Sequence, residues 1–217
     1  MRRAVVLLWI GCVAAMAAKV DFRKEKAGAV PRDWVVAMTS QGGAPRWEVV
    51  EDAAAPTPPR VLGQLSADET SGRFPLAIYE KAKLADGRVS VKFKTVSGVK
   101  DQAAGVVWRY QDPGNYYIVR ANALEDNVVL YKVEGGKRVA LAPVGTPEKT
   151  YGVKHKVPKG VWSSLRVEFV GKRFVVYFDG EKVMEVEDGT FAGAGKTGLW
   201  TKADSVTYFD DFEVGKK

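Results

Sequence analysis

Sulfur and imidazole are almost missing from this chain. Among 217 residues there is one cysteine, Cys12, and one histidine, His155. A disulfide framework needs paired cysteines, and thiolate or multi-histidine metal sites need several such ligands, so all of these are excluded. Hydrolysis, if the chain performs any, has to lean on carboxylates, a tyrosine or an oxygen-ligated cation. No stretch holds apolar residues at a sustained helical spacing, which argues against a helical fold. Dense Lys/Arg runs are missing too. The formal charge of +7 is spread along the chain, so nucleic acid is not an expected partner.

The N-terminus has a pattern of its own. Arg2 and Arg3 precede an apolar run over residues 4–14, and Ala15-Met16-Ala17 fits a small-x-small cleavage site. That order reads as a secretory signal peptide over residues 1–17. The run is too short to span a bilayer comfortably. Cys12 invites comparison with a lipid-anchored cysteine, but the apolar run continues past it, and Trp9 stands where a small aliphatic belongs. Cleavage leaves residues 18–217, suited to one sizeable domain. The expected location is periplasmic or extracellular, with no membrane association once the leader is removed and no thiol in the mature chain.

Residues 18–217 are rich in short alternating runs. Val89, Val91 and Phe93 face one way, and Arg88, Ser90, Lys92 and Lys94 the other, as in a strand with one wet face. Leu165, Val167 and Phe169 repeat the pattern, and Asp179-Gly180-Glu181-Lys182 is a hairpin turn. Residues 53–59 form a Pro-rich surface loop, and residues 146–158 a longer loop holding His155. Gly193, Gly195 and Gly198 imitate a nucleotide-binding glycine pattern, but they lead into a strand rather than a helix, so no helix dipole faces a phosphate. Strands every 8–12 residues or so predict an all-β antiparallel sandwich.

The densest stretch is residues 102–131. Asp112-Pro113-Gly114-Asn115 is strong turn chemistry, and a hairpin closed there pairs Tyr110 with Tyr116, Trp108 with Ile118 and Val106 with Arg120. Period 2 then places Trp108, Tyr110, Tyr116, Ile118, Arg120 and Asn122 on one face. Val107, Arg109, Tyr117, Val119 and Ala121 take the other. A one-residue bulge would exchange faces. Flat rings beside a guanidinium and an amide suit a sugar, whose C–H faces stack while its hydroxyls hydrogen-bond. Plain core or cross-strand packing explains the same aromatics equally simply. Glu125-Asp126-Asn127 is a polar turn at the end of this face, readable equally as a sugar-hydroxyl-binding rim or as a solvated turn. Trp200, Lys202 and Asp204 lie on a late strand and loop that could approach the same groove, with plain core the simpler reading of Trp200. Asp21 with Asp211, beside Asp210, is the candidate for a structural calcium ion, although period 2 sends Asp210 and Asp211 to opposite faces.

Three segments carry a family resemblance: residues 104–133, residues 162–186, and the closing GKTGLWTKADSVTYFDDFEV of residues 195–214. Together they resemble the concanavalin A-like lectin/glucanase superfamily, and within it the 3-keto-disaccharide hydrolase family and laminin-G-like domains. The resemblance implies a two-sheet jelly-roll sandwich whose first and last strands lie together, with a concave sheet that often binds glycans. The paired-acid E-x-D-x-E strand of the superfamily's glucanases does not occur in residues 18–217, which removes the standard retaining mechanism.

The first expectation is an exported, non-catalytic domain that binds a glycan or sugar derivative. The second is a hydrolase or lyase acting on a modified (3-keto) disaccharide, with Glu125, Asp126 or Asp204 meeting Arg120 or His155 and one acid of raised pKa. The third is a structural or protein-interaction domain whose aromatic face is covered by a partner or by residues 53–67.

Overall fold

The computed structural model describes residues 18–216, so the expected leader, residues 1–17, lies outside the described residues. Strand succeeds strand, with no helix among the described residues. In chain order they are β1 (Ala18–Val20), β2 (Trp34–Thr39), β3 (Trp47–Glu51), β4 (Arg60–Gln64), β5 (Phe74–Leu84), β6 (Gly87–Ser97), β7 (Ala103–Asp112) and β8 (Asn115–Asn122). Then come β9 (Asn127–Glu134), β10 (Lys137–Ala140), β11 (Val153–Lys154), β12 (Ser163–Val170), β13 (Arg173–Phe178), β14 (Glu181–Glu187), β15 (Gly195–Trp200) and β16 (Val206–Gly215).

They build two eight-stranded antiparallel sheets. One runs β14-β13-β12-β6-β16-β4-β3, with β1 also on β16; the other runs β10-β9-β8-β7-β15-β5-β2, with β11 also on β9. Ala18 lies opposite Val214 and Val20 opposite Phe212, so the first and last strands adjoin as a jelly roll requires.

Alternation settles which side of each strand meets the core. Val89, Val91 and Phe93 of β6 and Leu165, Val167 and Phe169 of β12 are buried between the sheets, as expected from their period. The facing sheet contributes Ala104, Val106, Tyr117, Val119, Ala121 and Leu130.

The β7–β8 hairpin departs from the simple register. Val107 pairs with Ile118, Trp108 with Tyr117 and Gly105 with Arg120, and the register shifts between Trp108 and Asp112. The irregularity centres on Arg109, whose φ is 49°, a left-handed conformation that lets the chain take up one extra residue. Trp108 is therefore not on the ligand face expected for it. It points into the core, fully buried, with its ring 5.4 Å from Tyr117, 6.0 Å from Phe169 and 5.3 Å from Phe174. Val107 moves to the outer face in exchange.

Arg109 itself closes one end of the core. Its guanidinium donates to the carbonyls of Ala85 (2.8 Å), Phe191 (2.7 Å) and Gly171 (2.6 Å). It also lies 5.7 and 5.5 Å from the Phe169 and Phe174 ring centres. The bulge crowds β15: a Cβ on Gly195 would come within 2.3 Å of the Arg109 carbonyl carbon, so that position tolerates glycine.

The second sheet curls. Thr39, on edge strand β2, hydrogen-bonds the Pro113 carbonyl (2.5 Å) and the Tyr116 hydroxyl (2.7 Å), reaching the β7–β8 hairpin across intervening strands. From the opposite edge, Arg138 of β10 lies 4.6 Å from the Phe74 ring centre of β5. Contacts spanning from edge to edge make the outer face of this sheet the concave one.

Candidate functional site

The concave face divides into a filled half and a polar half. In the filled half, Phe74 stacks on Trp200 (5.3 Å) and Tyr110 packs on Tyr116 (5.9 Å). The Arg138 guanidinium lies between these rings and Tyr131, 4.3 Å from the Tyr131 ring centre. Tyr110 and Tyr116 are pushed up to about 12 by burial, so neither phenol ionises near neutrality. The cover comes from Arg138 and Thr39, not from residues 53–67. The Pro-rich loop packs on the other sheet, where Thr57 meets Asp210 and Asp211.

The polar half is built from neighbouring positions on β8 and β9. Arg120 and Asn122 point the same way because they are two residues apart on β8, and Asn127 stands opposite Asn122. The turn between the strands carries Glu125. Its shape is stabilised by Asn122 Oδ1, which accepts from the Leu124 amide at 2.9 Å, and by Asp126 at φ 47°.

Arg120 is wholly buried. Its Nη1 donates to Asn127 Oδ1 (2.6 Å), and its Nη2 is shared among Glu125 Oε2 (2.7 Å), Tyr151 Oη (3.0 Å) and Tyr131 Oη (3.1 Å). Asn127 Nδ2 donates to the same Glu125 oxygen at 2.9 Å. Asn122 Nδ2 bridges Asp101 Oδ1 (2.8 Å) and Glu125 Oε1 (3.2 Å), and Lys202 holds the other Asp101 oxygen at 2.8 Å. The Tyr131 and Tyr151 hydroxyls meet at 2.5 Å.

Electrostatics follow from this wiring. Burial raises the Glu125 pKa, but the Arg120 charge and hydrogen bond, the Asn127 amide and Lys202 outweigh it, leaving the carboxyl below its usual range. Burial likewise pulls Arg120 down, yet Tyr131, Glu125 and Tyr151 leave it raised. Tyr131 is raised chiefly by burial. Glu125 is thus an anion at neutral pH, able to accept hydrogen bonds or a proton but not to act as a general acid.

Solvent reaches this network at only a few side chains. The Glu125 side chain is 36% exposed and that of Lys202 18%, and Tyr151 is 50% exposed. Arg120, Asn122 and Asn127 lie beneath and fix them. The outward groups are an acceptor, a cation and a phenol on a rigid base, the kind of set that orders hydroxyls.

Of the residues singled out in the sequence, the structure brings together Arg120, Asn122 and Glu125. Tyr110 and Tyr116 share their face but lie in the filled half. Lys202 joins through Asp101, which sequence reasoning passes over, as it does Tyr151 in the long loop. Neither carries a local signal, since only the tertiary fold sets them beside Arg120.

Asp204, Asp126 and His155 are engaged with other partners. Asp204 accepts the amides of Val99 (2.5 Å) and Asp101 (3.0 Å) and so anchors that loop. Asp126 is engaged by Lys156 and the Val157 amide. The His155 ring packs on Phe178 at 4.5 Å.

The acid with the raised pKa is on the other sheet. Burial pushes Asp210 up to about 6. A second bulge, with Asp211 at φ 47°, turns Asp210 and Asp211 toward the same loop, against the period-2 expectation. Asp211 is flanked by Lys19 and Lys92 at 3.0 Å each, and Asp21 by Arg23 at 2.9 Å. Among the described residues, no group of three or more acidic, histidine or cysteine side chains is arranged to hold a metal ion.

The jelly-roll fold itself has counterparts among known proteins. The 3-keto-alpha-glucoside-1,2-lyase-like domain matches residues 25–215. The chain belongs to that family. No curated protein matches this family member by sequence. Its fold is similar to that of carbohydrate binding module CBM66 from Bacillus subtilis, with 21% identity, a TM-score of 0.60, and 83% of this chain and 93% of that one covered. The cellulose induced protein Cip1 superposes with a TM-score of 0.61 at 12% identity, covering 92% of this chain and 97% of that one. A GH43 protein from Bacillus licheniformis gives a TM-score of 0.58 at 14% identity, covering 91% of this chain and 39% of that much longer one. At these identities the likeness is one of fold. The family match supports a sugar-related function.

Proposed function

We propose that this lyase-like family member is an exported carbohydrate-binding domain that holds a sugar or sugar derivative at the polar end of its concave sheet. The observation that carries the reading is the Arg120–Glu125–Asn127–Tyr151 network, which is buried at its base and open to solvent at Glu125, Tyr151 and Lys202. Pre-ordered polar groups lose little entropy on binding, and a lattice of both donors and acceptors suits vicinal hydroxyls. The names of the similar folds, a carbohydrate binding module among them, agree with this reading. Calcium bridging Asp21 and Asp211 stays a separate proposal.

The test is a glycan array and calorimetry on residues 18–217 with the Glu125→Gln and Tyr151→Ala variants. Binding that falls at least tenfold in both variants, with unchanged folding, supports the site. Binding that ignores both substitutions overturns it.

A second reading is favoured by the family match. Elimination across C1 and C2 of a 3-keto-glucoside requires removal of the C2 proton, which the neighbouring ketone acidifies. The electron pair then forms the C1=C2 double bond as the C1–O bond to the leaving group breaks. Glu125, ionised and partly exposed, would take the C2 proton, Lys202 would stabilise the enolate oxygen, and Tyr151 would protonate the departing alkoxide. A lowered pKa makes Glu125 a weak base, which ranks this reading second. Incubation with methyl 3-keto-alpha-glucoside tests it. Growth of enone ultraviolet absorbance, lost in Glu125→Gln, supports elimination, and a flat trace removes it.

A further inference from the structure

The other sheet presents its own outer surface, and that surface is not plain. Two hollows adjoin on it. The larger, about 270 Å³, is lined by Ser90, Lys92, Ser164, Arg166 and Tyr177 among others. The smaller, about 200 Å³, is lined by Lys92, Trp162, Ser164 and Asp179 among others. Lys92 and Ser164 border both, so they read as one groove running across β6, β12 and β13. Its walls come from the wet positions of the alternation: Ser90 and Lys92 on β6 stand opposite Arg166 and Ser164 on β12.

The chemistry of the groove is specific in two respects. Its aromatic side chains are held still. Lys94, ion-paired with Asp52, sits 5.2 Å from the Trp162 ring centre and 5.4 Å from that of Tyr208, and the Arg166 guanidinium lies 3.9 Å from the Tyr177 ring centre. Its charges also balance along the lining, where Lys19, Lys92 and Arg166 stand with Asp179, Asp211 and Glu213. Lys19 and Lys92 share Asp211 at 3.0 Å each, and Arg166 faces Glu168 at 3.7 Å. A polyanion would find no surplus positive charge here, which disfavours nucleic acid and sulfated chains. Fixed rings beside serine hydroxyls and internally balanced charges suit an uncharged polyhydroxylated ligand, whose C–H surfaces rest on the rings while its hydroxyls bridge the polar groups.

We infer that this groove is a second carbohydrate-binding surface, taking a neutral oligosaccharide strand on the sheet opposite the concave one. Two adjoining hollows offer room for more than one sugar unit, and a chain with a site on each sheet would bind a polysaccharide bivalently. The inference stands on this groove alone and does not depend on the concave site.

The experiment tracks the indole N–H resonance of Trp162, assigned with Trp162→Phe, by nitrogen-15 NMR of residues 18–217. Cellotetraose, laminaritetraose, maltotetraose and chitotetraose are titrated in separately. The expected result is a saturable shift of the Trp162 signal with at least one of them. It should persist in Tyr151→Ala, which alters only the concave site, and weaken at least tenfold in Ser164→Trp, which fills the groove while leaving the Trp162 reporter in place. No shift with any of the four, a shift that vanishes in Tyr151→Ala, or one that persists unchanged in Ser164→Trp overturns the proposal. Melting curves of both variants confirm that they are folded.

Discussion

Arg120 and Glu125 meet at 2.7 Å, one side chain fully buried and the other 36% exposed. The asymmetry separates two kinds of substitution. Arg120→Ala leaves Asn127 and two tyrosine hydroxyls without their shared donor and leaves Glu125 without its counter-charge, at an expected cost of about 3 kcal/mol. Glu125→Gln keeps the shape and an oxygen that still accepts from Arg120, but removes the counter-charge of that buried guanidinium, with a smaller expected cost of about 1–2 kcal/mol. Urea unfolding of both variants checks this. Equal costs would contradict the burial asymmetry.

Trp108 belongs to the core and not to the ligand face. Trp108→Ala empties a site among Tyr117, Phe169 and Phe174, at an expected cost of about 3–5 kcal/mol. Sugar affinity measured well below the melting temperature should stay unchanged. A variant of normal stability with lost affinity would return Trp108 to the binding surface.

Gly195 is fixed by its neighbour rather than by its own backbone. A methyl group there meets the Arg109 backbone, so Gly195→Ala has to push β15 off the bulge, costing about 1–3 kcal/mol as overpacking does. Thermal melting of this variant beside Gly193→Ala, a glycine whose added Cβ meets nothing, gives the comparison. Matching curves would show that the bulge does not crowd β15.

Asp210 contributes a pH dependence of unusual sign. Burial first, and then the neighbouring Asp211 carboxylate, push it up to about 6, against two backbone amides that pull it down. Unfolded, it titrates near 3.8. The folded protein therefore holds this proton more tightly than the unfolded chain does. The stabilisation is complete below about pH 3.8 and is lost as pH rises through about 6. Glu185, held down to about 2 chiefly by its hydrogen bond to Arg173, contributes in the opposite sense, and its stabilisation is lost as pH falls from 4.5 toward 2. Denaturation of wild type and Asp210→Asn across pH 3.5–8 should show their difference changing between about pH 4 and 6 and flat above 7. A difference independent of pH would mean that Asp210 is not perturbed.

Calcium at Asp21 and Asp211 has to compete with ammonium groups for the same oxygens, since Lys19 and Lys92 both sit on Asp211. Calcium is expected to raise the melting temperature of a Lys19→Met, Lys92→Met double variant and to leave the wild type nearly unchanged. Stabilisation of the wild type to the same degree would show that the ion displaces both lysines readily.

Much of this architecture is legible along the chain because strand periodicity is a local property. Val89, Val91 and Phe93 mark an inward face in any sandwich, and Asp112-Pro113-Gly114-Asn115 marks a turn wherever the hairpin lies. Arg120, Asn122 and Glu125 group together for the same reason: two share a strand face, and the third sits in the turn after it. Trp108 escapes the pattern because one residue in a left-handed conformation reverses every assignment before it, and no glycine at Arg109 announces the bulge.

The sequence by itself determined the all-β sandwich, the hairpin and the Arg120–Asn122–Glu125 trio, since each rests on alternation or turn chemistry within a few residues. Only the tertiary structure decided which sheet is concave, that Arg138 and Thr39 fill half of it, and that Tyr151, Asp101 and Lys202 complete the other half. Those outcomes depend on sheet curvature and on contacts between residues dozens of positions apart. Curvature accumulates from bulges and twist over many strands, so no short stretch of sequence records it.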